Sequence, residues 1–162
     1  MLLHFFKELG YKQCGYLQRL LEFKGSVGRE LWYNFVCTDE ELCNRPGPLV
    51  YIWFYKYDII YVGETSLTIK KRITNGHFGG FRGGSYSGVE KQKQLLQLED
   101  EKIFVLVAFD AFFLKYLHEQ VKKVDINNFN KMITPFQSDM LTAKYLEEKS
   151  IIAMFNPKLN KK

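Results

Sequence analysis

Two short runs of β-branched and aromatic residues constrain the fold of this chain more than any other feature. They are LVYIWFY at Leu49–Tyr55 and IIYV at Ile59–Val62, separated by residues 56–58. Such side chains favour extended strands, and a connection this short joins antiparallel neighbours. The sequence therefore predicts a β-hairpin over residues 49–62.

The turn length decides how the tyrosines of this hairpin face each other. With a three-residue loop, Tyr51 and Tyr61 lie directly opposite on one face, whereas one more loop residue places them on opposite faces. Gly63, close behind Tyr61, either allows close backbone approach to a ligand or simply ends the strand. Tyrosines that only pack a sheet give the same pattern, so the hairpin alone does not indicate a function.

Periodicity and turn residues outline the remaining elements. A chain of 162 residues can form one domain. The prolines and glycine within 44–48 mark its clearest boundary, so we treat 1–47 as a helical N-terminal extension of the domain at 48–162. Apolar spacing predicts helices over 1–24, from 65 or 66 to about 75, over 89–98, 111–124 and 138–155, a strand over 103–109 and a flexible glycine-rich loop over 77–88.

Composition and charge narrow the function only a little. The net charge of +5 and the pI near 9.0 permit nucleic-acid binding without establishing it. The longest apolar run, Ile103–Phe109, is too short to span a bilayer, and charge interrupts the N-terminus too early for a signal peptide. The three cysteines lack a disulfide or zinc pattern and are expected to be reduced thiols. We expect a cytoplasmic protein with no membrane partner.

The last predicted helix carries a carboxylate inside its apolar stripe. At helical spacing, the stripe consists of Leu141, Tyr145, Ile152 and Phe155. Glu148 falls within this stripe, and its neighbour Glu147 is expected to point away from it. A carboxylate on a core-facing stripe is costly unless it meets a cation or a metal. Glu148 is therefore either a metal ligand or one partner of a buried ion pair.

Arg72 and His77 follow the hairpin on the next predicted helix. Arg72 lies beside apolar positions, where it could hold a phosphate or extend along the surface with its head group in water. Lys70 and Lys71 lie on the more exposed side and suit looser contacts with a nucleic-acid backbone. His77 comes just past the predicted helix end, where a histidine could transfer protons near neutral pH.

The glycine-rich loop that follows interleaves aromatic residues with Arg82. Phe78, Phe81 and Tyr86 could stack on bases, although an ordinary surface loop explains the pattern nearly as well. The chain carries no P-loop, GxSxG or HExxH motif, which argues against several enzyme classes.

The segments LVYIW, IIYVGET, KKRI and EKSIIAMFNPKLN together resemble the GIY-YIG nuclease domain. The resemblance covers about 48–162, with long insertions near 78–98 and 111–137. YVG at 61–63 fits the second strand motif, whereas the first strand keeps Tyr51 but lacks the usual glycine. The resemblance implies an α+β fold, in which a three-stranded antiparallel sheet is flanked by helices.

The resemblance also implies a role for each matching residue. Glu148 would hold Mg²⁺, for which Mn²⁺ is expected to substitute, and Tyr51 would be the general base that activates water. Tyr61 would orient the water or the phosphate, and Arg72 would stabilise the charge of the transition state. Asn160 would order the active-site backbone or a side chain. His77 resembles a catalytic histidine of restriction-type members, although it lies one residue later than the spacing expected from them. The implied DNA contacts are Lys70, Lys71, Arg82, Tyr86 and Lys91.

The implied function is metal-dependent hydrolysis of double-stranded DNA. A small sequence-specific restriction endonuclease fits best because no separate DNA-binding domain is evident, and cutting both strands of a palindrome favours a homodimer. A phage or mobile-element endonuclease, a structure-specific repair nuclease and a catalytically inactive DNA-binding module are the alternatives.

Overall fold

The computed structural model describes residues 1–24, 31–78, 86–99, 101–124 and 140–160. The strands are β1 Lys12–Lys24, β2 Leu31–Cys37, β3 Leu49–Tyr55, β4 Asp58–Thr65 and β5 Ile103–Ala108. The helices are α1 Leu2–Leu9, α2 Glu40–Asn44, α3 Ile69–Lys71 with a π-helical continuation Arg72–His77, α4 Tyr86–Leu95, α5 Phe112–Val124, α6 Met140–Phe155 and a 3-10 turn Lys158–Asn160.

The five strands form one antiparallel sheet in the order β2-β1-β5-β3-β4. The predicted class of mixed helices and strands is confirmed, but a sheet of three strands is wrong, because β1 and β2 extend it beyond β5. Both added strands come from the segment predicted to be a helical extension. Strands β1 and β2 therefore belong to the same sheet as the hairpin.

The helix predicted over 1–24 ends at Leu9. Gly10 adopts the left-handed conformation with φ 117°, and its N–H bonds to Lys7 O, which closes α1. Beyond it, Gly15 lies where β1 and β2 pair, and a Cβ at that position would come within 2.3 Å of Val36 O. Pairing with strands distant in sequence outweighs the helical spacing of this segment.

The predicted hairpin is confirmed, but the predicted pairing of Tyr51 with Tyr61 is wrong, since even a three-residue loop over 56–58 sets Trp53 opposite Tyr61. Tyr55 pairs with Asp58 across a two-residue turn, and a bulge follows Trp53. Tyr61 therefore pairs with Trp53 rather than with Tyr51. The rings of Tyr51 and Tyr61 still pack together, with centroids 5.9 Å apart.

Helices cover both faces of the sheet. One core cluster joins the sheet to α3, α4 and the C-terminal turn and includes Leu17, Tyr33, Tyr51, Trp53, Ile69, Ile73, Leu95 and Leu159. The other joins it to α1, α5 and α6 and includes Phe6, Ile52, Val62, Phe113 and Ile151. The predicted strand over 103–109 and helix over 111–124 agree closely with β5 and α5.

Two further predictions concern the cysteines and the membrane. Cys37 and Cys43 are joined by a disulfide, so the prediction of three reduced thiols is wrong for this pair, while Cys14 is free and buried. The sequence did not indicate this disulfide, because Cys37 and Cys43 lie six positions apart and match no spacing motif. Among the helices of the described segments, none is both long enough and apolar enough to cross a membrane.

Candidate active site

Gly63 makes room for the ring of Tyr51. The two residues pair across β3 and β4, and a Cβ at position 63 would lie 2.5 Å from both Cζ and Oη of Tyr51. The Tyr51 ring therefore lies directly over a position that no side chain can occupy. Gly63 lies inside β4 and does not end the strand, so the glycine of the YVG sequence has a packing role instead.

The hydroxyl of Tyr51 lies between Arg72 and His77. Arg72 Nε donates to Tyr51 Oη at 3.2 Å, and Tyr51 Oη is 2.6 Å from His77 Nε2. Arg72 can only donate, whereas the direction of the Tyr51–His77 hydrogen bond follows from the imidazole tautomer: Tyr51 donates when the proton of His77 is on Nδ1. The three side chains thus form a continuous chain of hydrogen bonds.

Burial governs the protonation of this chain. It raises the pKa of Tyr51 well above its ordinary value, and the nearby Tyr61 adds to the effect, although the Arg72 guanidinium opposes it. Burial and the charges of Lys91 and Arg72 lower the pKa of His77 to about 2. At neutral pH, Tyr51 is therefore a protonated phenol beside an uncharged imidazole.

A π-helix brings His77 onto Tyr51. Residues Arg72–His77 form this helix, in which Phe78 N–H donates to Ile73 O, five residues back, at 3.0 Å. A π-helical turn takes about one residue more than an α-helical turn, so residues five apart share a face. His77 and Arg72 therefore both reach the Tyr51 hydroxyl, and the extra residue between them is accommodated by the helix type.

Tyr61, Trp53 and Lys91 enclose the hydrogen-bonded chain. The Lys91 ammonium lies 4.4 Å from the centroid of the Tyr61 ring and 3.4 Å from its hydroxyl oxygen. The Trp53 ring centroid is 4.9 Å from that of His77 and 4.8 Å from that of Tyr61. Trp53 was not predicted to belong to this cluster, although strand alternation, which puts residues 51 and 53 on one face, was the available signal.

Glu148 lies at the edge of the cluster on α6, which packs against β4. Its side chain is 13% exposed and pairs with Lys149 Nζ at 3.3 Å. Burial raises its pKa, Lys149 opposes this, and the charges of Glu64 and Arg72 also act on it. Glu148 thus pairs with its exposed neighbour in sequence rather than in a buried ion pair, and the negative charge of Glu64 acts on it as well.

Glu147, not Glu148, is the fully buried carboxylate of α6. It accepts hydrogen bonds from Phe113 N at 2.9 Å, from Leu114 N at 2.7 Å and from the Tyr11 hydroxyl. Glu147 therefore supplies hydrogen-bond acceptors to two of the free backbone N–H groups in the first turn of α5. The prediction that Glu147 points away from the core is wrong, and Tyr145 of the predicted stripe is 53% exposed.

Asn160 holds the backbone of β4 between Tyr61 and Gly63. Its Oδ1 accepts from Val62 N at 2.8 Å, and its Nδ2 donates to Val62 O at 2.7 Å. Since β4 is an edge strand, both Val62 groups face away from the sheet and need partners. The Asn160 side chain supplies both of them.

The donors near Glu148 fit a hard divalent cation that keeps much of its water. Within the described segments, no group of three or more His, Cys, Asp or Glu side chains could enclose a metal. Mg²⁺ does not need such a cage, since it commonly binds one or two carboxylates, water and substrate phosphate. Glu148, with Glu64 nearby, meets that requirement.

The predicted DNA contacts have different surroundings. Lys70 and Lys71 are exposed on α3, and Lys70 pairs with Glu40 at 3.4 Å. Lys91 is partly buried against Tyr61. Arg82 lies outside the described residues, as does the side chain of Tyr86, whose backbone begins α4.

No protein-family model, curated protein or solved structure matches this chain.

Proposed function

We propose that this chain is a metal-dependent DNA endonuclease of the GIY-YIG type. The observation that carries the proposal is the buried Tyr51 hydroxyl held between Arg72 Nε and His77 Nε2. Any buried tyrosine hydroxyl needs a hydrogen-bond partner, but this one meets both a cation and a group that can accept its proton. The sheet order β5-β3-β4 accommodates the three strands of the proposed nuclease core, with β1 and β2 as additions.

The hydrogen-bonded chain supports general-base catalysis. A phenol can take a proton from water only if its own proton leaves, and His77 Nε2 is placed to receive it. The hydroxide so formed attacks the phosphorus, and the bond to the leaving sugar oxygen breaks. Arg72, next to Tyr51, would balance the charge that develops on the phosphate oxygens.

His77 is uncharged, so it has a free site for a proton, but burial and then the positive charges of Lys91 and Arg72 lower its pKa to about 2, which makes it a weak base. A bound phosphodiester would offset those charges and make the imidazole a stronger base. Proton transfer would then depend on the presence of DNA.

Glu148 would hold a Mg²⁺ ion, which would polarise the scissile phosphate and stabilise the leaving oxygen. Lys149 would be displaced from the carboxylate when the cation binds, since it is exposed and its ion pair is weak. Lys70 and Lys71 would contact the DNA backbone. We propose double-stranded DNA in the cytoplasm as the substrate and a sequence-specific, restriction-type homodimer as the active form.

A catalytically inactive DNA-binding module is the second candidate. It is favoured by the burial of Tyr51, which has no exposed surface in this conformation. Hydrolysis would require the cover of Tyr51 to move when DNA binds, whereas a binding module would need no such movement.

Cleavage assays distinguish the two candidates. The purified protein is incubated with plasmid, phage and branched DNA, with Mg²⁺ or with a chelator. We expect discrete fragments in Mg²⁺ only, the loss of cleavage in Glu148→Ala, and normal cleavage in Glu119→Ala, which removes an exposed carboxylate from α5. Smeared products would indicate a nonspecific or structure-selective nuclease, and no cleavage of any substrate would leave the binding module.

Tyr51→Phe and His77→Gln test the proton pathway. Both variants should bind DNA nearly normally, measured by gel shift in Ca²⁺, and both should cleave at least about 100-fold more slowly. Unchanged cleavage by Tyr51→Phe would reject Tyr51 as the base. Unchanged cleavage by His77→Gln alone would limit the role of His77 to positioning Tyr51.

A further inference from the structure

A second cavity lies apart from the Tyr51 cluster, where β5 ends and β1 begins. Its volume is about 510 Å³, and none of its lining residues belongs to the candidate active site. Helix α2 and the residue that follows it, the N-terminal end of α5 and the first turns of α6 contribute to its wall. The residues that matter here are Lys12, Arg45, Phe109, Asp110, Phe112 and Lys144.

Lys144 in this wall is a buried cation without a hydrogen-bond partner. The residue is 1% exposed, and its Nζ has no partner among the residues that the structure describes. Glu147, its nearest candidate counter-ion, already accepts three hydrogen bonds from other groups. Leaving a buried ammonium unsatisfied is costly, and proteins rarely keep such a group without a purpose.

Two further cations lie around the same cavity. Lys12 and Arg45 are exposed, and neither pairs with a carboxylate within the described part of the chain. The Arg45 guanidinium stacks 4.1 Å from the centroid of the Phe109 ring, which leaves its edge free to donate. The carboxylate of the wall, Asp110, is engaged by Lys115 at 2.6 Å and by Ala111 N at 2.7 Å. The cavity therefore keeps a net positive charge.

The remaining wall is apolar and aromatic. Phe109 and Phe112 lie beside the cations, together with Leu42, Val107, Ala108 and Ala143. A small molecule that buries an apolar body here and presents an anionic group to the cations matches both parts of the wall. Three positive side chains in the wall of one cavity suit a phosphate dianion better than a single carboxylate.

We propose that this cavity binds a small phosphate-bearing molecule, with its phosphate beside Lys144, Lys12 and Arg45 and its body against Phe109 and Phe112. The site is independent of the proposed nuclease function and uses none of its residues. The phosphate would supply the hydrogen-bond acceptor that Lys144 lacks.

Binding of inorganic phosphate and of thymidine 5′-monophosphate, measured by calorimetry on the full chain, tests the proposal. Lys144→Met removes the ammonium and keeps the length of the side chain, while Arg45→Gln alters the rim, where folding is not at risk. Lys123→Met removes an exposed charge from α5 as the matched control. Arg72→Gln identifies any binding at the candidate active site.

We expect one saturable site in the wild type, in Lys123→Met and in Arg72→Gln, with affinity at least about tenfold weaker in Lys144→Met and in Arg45→Gln. Tighter binding of the nucleotide than of phosphate would identify a nucleotide ligand, whereas equal binding would identify the phosphate group alone. The proposal is overturned if neither probe saturates a site, if Lys144→Met and Arg45→Gln bind as the wild type does, or if Arg72→Gln abolishes binding.

Discussion

Gly63→Ala tests how closely Tyr51 packs on β4. Gly63 has an ordinary extended backbone, and alanine is favoured over glycine by about 0.5–1 kcal/mol at such a strand position. Without a packing conflict, the substitution should therefore stabilise the protein. The new Cβ, however, would lie 2.5 Å from both Cζ and Oη of Tyr51, whereas ordinary contacts lie at about 3.5–4 Å.

The ring of Tyr51 has little room to move away. It is fully buried and packs against Tyr61 and His77, so a shift of about 1 Å must be shared with its neighbours. Overpacking of this kind costs about 1–3 kcal/mol, which exceeds the gain from alanine. We expect Gly63→Ala to lower the free energy of unfolding by about 1–2 kcal/mol. Displacement of the hydroxyl from His77 should also slow any catalysis by about 100-fold.

A double-mutant cycle isolates the contact. Urea unfolding, followed by tryptophan fluorescence, is measured for Gly63→Ala in the wild type and in Tyr51→Leu, where the smaller side chain leaves space for Cβ. In Tyr51→Leu, the alanine should become neutral or stabilising, which gives a coupling of about 1–3 kcal/mol. Equal effects of Gly63→Ala in both backgrounds, or a stabilising effect in the wild type, would refute the packing of Tyr51 on Gly63.

Three further predictions concern buried polar groups. Glu147→Ala should lower the free energy of unfolding by at least about 2 kcal/mol, because three buried donors lose their acceptor. Glu148→Ala should lower it by less than about 1 kcal/mol. Equal losses of stability in the two variants, measured by urea unfolding, would contradict this prediction. Asn160→Ala should lower the free energy of unfolding by about 1–3 kcal/mol and speed hydrogen exchange at the Val62 amide. Unchanged exchange would contradict the hydrogen bonds between Asn160 and the Val62 backbone. Burial lowers the pKa of Lys144 from 10.5 to about 8, so the unfolded chain binds more protons between these pH values. Lys144→Met should therefore raise the free energy of unfolding by at most about 3 kcal/mol below pH 8. This gain should decline as the pH rises toward 10.5, and a gain that does not change with pH would exclude titration of Lys144 as its cause.

Local patterns determined the elements whose partners lie close in sequence. The hairpin β3–β4, the strand β5 and the helix α5 were predicted from residue type and spacing, because apolar periodicity and short turns act over a few residues. The involvement of Tyr51, Arg72 and His77 could be suspected from their contexts and from a family resemblance. Their meeting at one hydroxyl could not, since it depends on a π-helical turn and on a strand bulge.

Only the tertiary structure decided the features that depend on distant partners. Residues 12–24 carry apolar residues at helical spacing, yet they form β1 because β2 and β5 offer hydrogen bonds along both of its edges. Glu147 and Glu148 are adjacent in sequence, and their different roles arise because the N-terminus of α5 faces one of them. The sequence by itself thus determined which segments could form strands and helices and which polar residues were unusual. The three-dimensional packing decided which partners those residues met, because burial, pairing and charge are properties of the assembled chain.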